Sequence, residues 1–115
     1  MRRGEVRYAD LASALGSEAD KRRPVVLVSN DGANVAAERQ GCGVVTVVPI
    51  TSNVARLFAF QVRLSAHDCG LATDSKAQAE QVRSIDVRRL GEAIGRLDSA
   101  TMRQLDEALR LHLGL

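Results

Sequence analysis

Two groups of residues in this sequence have the chemistry to act on a phosphodiester. Arg23 opens the run Arg23-Pro24-Val25-Val26, and Thr51 and Ser52 close the run Val48-Pro49-Ile50-Thr51-Ser52. A guanidinium stays charged at any physiological pH and presents its N–H donors in a planar fork. A hydroxyl pair adds donors and acceptors that turn to suit a ligand. Together they suit the oxygens of a phosphate diester and the charge that grows on them during cleavage. Ahead of Arg23 lie Glu18, Lys21 and Arg22, which add phosphate-binding charge and one carboxylate able to accept a proton. A charged run before a strand has a second reading, an ordinary solvated loop.

The elements that must bring these groups together are short strands. Gly4 to Leu11 alternates Val6 and Tyr8 with Glu5 and Arg7, the period of a half-buried strand. Pro24 to Ser29 and Val44 to Val48 are β-branched apolar runs, stopped by Asn30-Asp31-Gly32 and by Pro49 to Asn53, and read as strands buried on both faces. Between them lies a polar connection ending in Gly41-Cys42-Gly43. Paired antiparallel, the two strands set Arg23 beside Thr51. Phe58, Phe60, Val62 and Leu64 share one face of a further alternating segment, which predicts both phenylalanines in the core and not free for base stacking. Ser65 to Asp74 reads as a loop, Lys76 to Ile85 as strand, Asp86 to Leu90 as one helical turn and Glu92 to Leu97 as a short extended piece. Ser99 is placed to cap a terminal helix whose Met102, Leu105, Leu109 and Leu113 share a face. The fold class is therefore mainly β, a small antiparallel barrel or sheet with helical appendages.

Bulk composition narrows the class without deciding it. A chain of 115 residues has the size of one small domain, here residues 1–115, and a net charge of +2 is too small to identify a nucleic-acid binder. No apolar run is long enough to span a bilayer and no signal core follows the N-terminus, so no membrane contact and a cytoplasmic location are expected. Cys42 and Cys69 form no CxxC and have no closely spaced histidine, which supports neither a zinc site nor a disulfide framework. No metal and no cofactor is expected.

Six segments carry a resemblance. Arg3-Gly4-Glu5-Val6, Gly16-Ser17-Glu18, Arg23-Pro24-Val25-Val26, Val28-Ser29-Asn30, Val48-Pro49-Ile50-Thr51-Ser52 and Gln81-Val82-Arg83-Ser84-Ile85-Asp86 stand in order and at family spacing, followed by Leu105-Asp106-Glu107-Ala108-Leu109. In these the chain resembles the MazF/PemK toxin family along nearly its whole length. The resemblance implies an SH3-like, CcdB/PemK-like barrel with a C-terminal helix and a homodimer. It implies a toxin of a type II toxin–antitoxin system with a MazE-like antitoxin partner. The activity implied is sequence-specific, metal-independent cleavage of single-stranded RNA to 2′,3′-cyclic phosphate and 5′-hydroxyl ends. The family's catalytic arginine and threonine fall on Arg23 and Thr51, and its supporting loop glutamate on Glu18. Lys21, Arg22, Ser52, Glu80 and Arg83 are the accompanying RNA-binding candidates, and His67 is a further one because its loop is placed to line an RNA groove. His112 reads as an ordinary helix histidine.

Arg23 then neutralises the phosphoryl oxygens and is a candidate to protonate the leaving 5′-oxygen, while Thr51 hydrogen-bonds a phosphoryl oxygen or the nucleophile. With an arginine pKa above about 12, Glu18 is the better general base. One departure stands out: the family commonly has tryptophan directly after Gly-Glu-Val or Gly-Glu-Ile, where this chain has Arg7 and no tryptophan anywhere. Arg7 either faces solvent or exchanges stacking for phosphate attraction in the groove. The alternative to a nuclease is a CcdB-like binding module that poisons gyrase, which has no use for an arginine and a threonine converging on a phosphate.

Overall fold

A computed structural model of the chain describes residues 1–11 and 21–115. Seven strands and three helices follow in the order β1 (Glu5–Asp10), β2 (Arg22–Leu27), α1 (Asp31–Gln40), β3 (Val44–Thr51), β4 (Gln61–Leu64), α2 (Ala66–Cys69), β5 (Ser75–Gln78), β6 (Arg83–Asp86), β7 (Leu90–Arg96) and α3 (Ser99–Leu113). Single 3-10 turns, Ala79–Gln81 and Val87–Arg89, flank β6. The sheet order is β4-β5-β3-β2-β1-β7, and every pairing is antiparallel. One edge of β3 serves two partners: Val44 to Val47 pair with β6, and Ile50 and Thr51 with β5. The expected antiparallel architecture is present, but β4 and β7 do not pair with each other, so the sheet is open and not a closed barrel.

The central strands are buried on both faces, as their continuous apolar runs require. Val26, Val48 and Ile50 join Val6, Val62, Leu64 and Ala77 in a core that packs against Leu105 and Ala108 of α3. Val25, Leu27, Val45 and Val47 point the other way, into a second core with Ala9, Leu11, Ile85 and Ala37 of α1. A slip of one residue between β2 and β3 would exchange the two sets, so burial on both faces pins the register.

Several boundaries differ from expectation, each for a local reason. The polar connection after β2 is the helix α1, capped by Asn30, whose side chain accepts from the Ala33 N–H, and ended by Gly41 at φ 65°. It lacks an apolar stripe because a polar staple holds it. The buried Asn34 donates from Nδ2 to the Ser29 carbonyl at 2.8 Å, and Ser29 Oγ accepts from the Thr46 N–H at 3.0 Å. The strand expected from Phe58 begins only at Gln61. A turn precedes it, in which the Gln61 N–H donates to the Phe58 carbonyl and the Phe58 N–H to Gln61 Oε1. The phenylalanines are therefore not core: Phe58 is 41% exposed, and the two rings stack on each other at 5.3 Å. Gln61 is buried instead, held by Glu80. Strand β2 starts at Arg22, and β3 runs through Pro49 to Thr51, so both arms of the expected corner stand on strands. Helix α2 lies inside the expected Ser65 to Asp74 loop, and Lys76 to Ile85 divides into β5, a 3-10 turn and the start of β6. Asp98, not Ser99, caps α3, its carboxylate accepting from the Thr101 N–H at 2.7 Å, and Leu113 is exposed past the packed turns. Among the described residues no helix is long and apolar enough to cross a membrane.

Helix α2 is locked onto β7 by two glycines. A Cβ on Gly70, which sits at φ 71°, would fall on the carbonyl of Ile94, and one on Gly95 would fall on the carbonyl of Cys69. This close approach of two backbones fixes the chain that leaves α2 at Leu71. Gly95→Ala should therefore cost more than about 2 kcal/mol in chemical denaturation, the range for a backbone-level clash. A loss under about 0.5 kcal/mol would mean that the two segments separate freely.

Arg88, through its side chain and its backbone N–H, holds the Asp86 carboxyl down at about 2. Asp98 is lowered by the N–H groups it caps. A depressed folded-state pKa contributes stability above the unfolded value, roughly pH 4, and loses it as pH falls through the folded value. Asp86→Asn should flatten the stability profile between about pH 4 and about pH 2, and an unchanged acid limb in thermal melts would contradict this.

Candidate active site

Continuing the β2–β3 register from Val25↔Pro49 by two places brings Arg23 opposite Thr51. Both residues line one cavity of about 320 Å³, together with Tyr8, Pro24, Ile50, Ser52 and the stretch Leu71, Ala72, Thr73 and Ser75. Arg23 is half-buried on β2 and pairs with Ala9 on its other side. Thr51 is the last residue of β3 and pairs with Lys76 of β5. The Asn53 N–H donates to Thr51 Oγ1 at 3.2 Å. With one lone pair so occupied, the Thr51 hydroxyl keeps its proton to donate elsewhere. Among the described residues, Arg23 is the one charged residue of this lining, and Thr51, Ser52, Thr73 and Ser75 supply its small hydroxyl residues.

Its size, at the small end of ligand clefts of roughly 300 to 1,000 Å³, suits a single nucleotide linkage. A larger groove of about 670 Å³ lies at the start of α3, but it mixes Arg3, Arg96 and Arg103 with Asp68, Asp98 and Asp106. There Arg3 is already committed to Asp106 at 2.6 Å. Its balanced charge makes it a poorer host for a polyanion than the smaller cavity.

The other sequence candidates are dispersed. Ser52 lines the cavity, and Arg22 stands at its border with Cζ 4.7 Å from the centroid of the Tyr8 ring, a cation–π contact worth about 0.5–1 kcal/mol at an exposed position. Lys21 is exposed at φ 62°, a left-handed conformation that costs a non-glycine residue on the order of 1 kcal/mol, and its carbonyl accepts the Leu11 N–H at 3.0 Å. Arg83, His67 and Glu80 are outside the cavity lining. Arg83 donates to the Leu11 carbonyl at 3.4 Å, His67 is exposed on α2, and Glu80 Oε2 accepts from Gln61 Nε2 at 2.7 Å. Glu80 Oε1 and Gln78 Oε1 are buried without a hydrogen-bond partner among the described residues. Glu18 lies outside the described residues.

Arg7 takes neither of its two expected courses. It is half-buried, bonded through Nε and Nη2 to Glu5 and through Nη1 to the Gly91 carbonyl of β7 at 2.9 Å. The aromatic residue of β1 at the cavity is its neighbour Tyr8. Sequence reasoning missed Tyr8 as a site residue because alternation marks it only as an inward strand position. It likewise took His67 from the Ser65 to Asp74 segment, whereas that segment reaches the cavity through Leu71 to Thr73 once Gly70 and Gly95 have docked it on β7.

The chain is 59% identical to endoribonuclease MazF9 of Mycobacterium tuberculosis, over all of its own length and 98% of that protein. It is 34% identical to endoribonuclease EndoA of Bacillus subtilis, over all of its length and 96% of the relative. Among solved structures it is similar to an endoribonuclease in complex with its cognate antitoxin from a mycobacterial species. That likeness has a TM-score of 0.78 at 25% identity and covers the whole of this chain and 96% of the other. Residues 2–113 match the PemK-like, MazF-like toxins of type II toxin–antitoxin systems, and the chain belongs to that family.

Proposed function

We propose that the chain is the toxin of a type II toxin–antitoxin pair and acts as a metal-independent endoribonuclease on single-stranded RNA. The observation that carries this reading is the meeting of Arg23 and Thr51 in one cavity. The ribose 2′-hydroxyl attacks its own 3′-phosphate, forming the 2′,3′-cyclic phosphate and breaking the bond to the 5′-oxygen of the next nucleotide. The nucleophile belongs to the substrate, so no metal-bound hydroxide enters the step. Arg23 stabilises the charge on the non-bridging oxygens, and the Thr51 hydroxyl donates to one of them. The 2′-hydroxyl proton goes to Glu18, assigned as general base on chemical grounds, and the leaving 5′-oxygen takes a proton from the Arg23 guanidinium, which regains one from solvent, to end as a 5′-hydroxyl.

Lys21, Arg22 and Ser52 contact the RNA near the cut. Arg83, His67 and Glu80, off the cavity, meet it only farther along the strand. The relatives' names support the endoribonuclease activity, and the antitoxin-bound neighbour supports a MazE-like partner. A homodimer, a cytoplasmic location and a single toxin domain over residues 1–115 complete the reading.

Losing one well-placed donor to the transition state slows a reaction on the order of 100- to 1,000-fold. Arg23→Ala and Thr51→Ala should each lose that much, and Ser52→Ala less. The assay is cleavage of mixed-sequence single-stranded RNA in EDTA with both new ends mapped. Cutting at a short fixed sequence to cyclic-phosphate and 5′-hydroxyl ends, abolished by Arg23→Ala, is the expected result. Intact RNA from folded, antitoxin-free protein, with DNA supercoiling stalled instead, would replace the nuclease by a gyrase poison.

A further inference from the structure

The ribonuclease reading gives Tyr8 no role, yet Tyr8 touches both the cavity and an arginine outside it. On the β1–β2 ladder Tyr8 pairs with Pro24 and Asp10 with Arg22, so Tyr8 and Arg22 are diagonal neighbours on one face of the sheet. At that spacing an aromatic ring and a long side chain meet. The Arg22 guanidinium lies over the ring, Cζ 4.7 Å from its centroid, while Tyr8 itself lines the cavity beside Arg23 and Thr51. A third strand completes the slot. Gly91 of β7 has no side chain, and a Cβ there would stand 3.8 Å from Arg22 Nη2 and 3.8 Å from Tyr8 Cβ. The β1–β7 register shifts on both sides of Arg7, next to Tyr8. The guanidinium thus lies over an aromatic face, and the bare Gly91 backbone leaves it room on the β7 side. An exposed arginine without such a platform samples many rotamers and loses that freedom on binding.

Arg22 and Arg23 are adjacent on a strand and so point to opposite faces. They cannot grip the same phosphate from one side. Tyr8, which shares the Arg22 face and reaches the cavity, relates the two. Resting on the ribonuclease reading, we propose that Tyr8 is a positioning residue whose ring holds the Arg22 guanidinium against the phosphate next to the one cleaved. The consequence is a KM effect: Tyr8→Leu should raise KM for RNA about tenfold and leave kcat within about twofold, because the contact persists from ground state to transition state.

The test uses a mixed-sequence single-stranded DNA oligonucleotide, which carries the phosphates but lacks the 2′-hydroxyl and cannot be cut by this chemistry. Its affinity is measured across salt concentrations for wild type, Arg22→Gln, Tyr8→Leu, the double variant and Tyr8→Phe, with melts to establish folding. Each phosphate contact on a single strand contributes about 0.7 to the salt slope. The slope should fall by about 0.7 in Arg22→Gln, by a similar amount in Tyr8→Leu and no further in the double variant. Tyr8→Phe, which keeps the ring, should match wild type. If Tyr8→Leu melts below the assay temperature, Tyr8→Met replaces it, keeping bulk without a π face. A wild-type slope in Tyr8→Leu or in Arg22→Gln overturns the proposal. So do losses that add in the double variant, failure of Tyr8→Phe, or absence of salt-dependent binding by the wild type. Wild-type protein that shows the expected pattern but leaves RNA intact refutes the reaction while keeping the phosphate contact.

Discussion

Pairing Val25 with Pro49, Val26 with Val48 and Leu27 with Val47 forces two things at once. It sends alternate side chains of β2 and β3 into two separate apolar cores, one beneath α3 and one beneath α1. It also fixes, two residues beyond the Val25–Pro49 pair, that an arginine faces a threonine. Because both faces of both strands are buried, the ladder cannot slide to a neighbouring register without moving every valine into the wrong core. The polar corner therefore inherits its precision from apolar packing. A guanidinium and a hydroxyl on loops would have to be ordered at each binding event; on these strands they are ordered once, during folding.

The remaining walls depend on that ladder through longer routes. Strand β3 is long enough to hold β6 on its first half and β5 on its second, which brings Ser75 into the same cavity lining as Thr51. The return of the chain from β4 to β5 passes through α2, and the backbone contact of Gly70 with Ile94 and of Gly95 with Cys69 sets the path of Leu71 to Thr73 across the cavity mouth. The Arg83 guanidinium and the Lys21 carbonyl bond the backbone of Leu11, just past the end of β1, the strand that carries Tyr8. Residues outside the cavity thus act on it by placing the segments that line it.

Much of this was legible in the sequence where one physical signal dominates. Continuous β-branched runs between turn formers located β2 and β3, and antiparallel adjacency alone brought Arg23 to Thr51. The signal failed where two devices leave the same trace. Asn30-Asp31-Gly32 reads as a turn and is a helix cap, and α1 hides because a buried asparagine does the work of an apolar stripe. Phe58 and Phe60 keep strand spacing but stand on a turn and stack on each other. Tyr8, Leu71 and Thr73 belong to the cavity only through contacts between distant strands, and no spacing in a single chain records those. The motifs of the family resemblance point to Arg23 and Thr51, the proposed catalytic pair, and carry no trace of the surface that surrounds them.

In the proposed mechanism Arg23 and Thr51 act as one unit on one phosphoryl group. Single-turnover cleavage rates for Arg23→Ala, Thr51→Ala and the double variant test it most directly, since residues that serve the same transition-state atoms lose rate non-additively. The double variant should be about as slow as the slower single variant. Two losses that multiply, or a Thr51→Ala protein that cleaves at the wild-type rate, would contradict it.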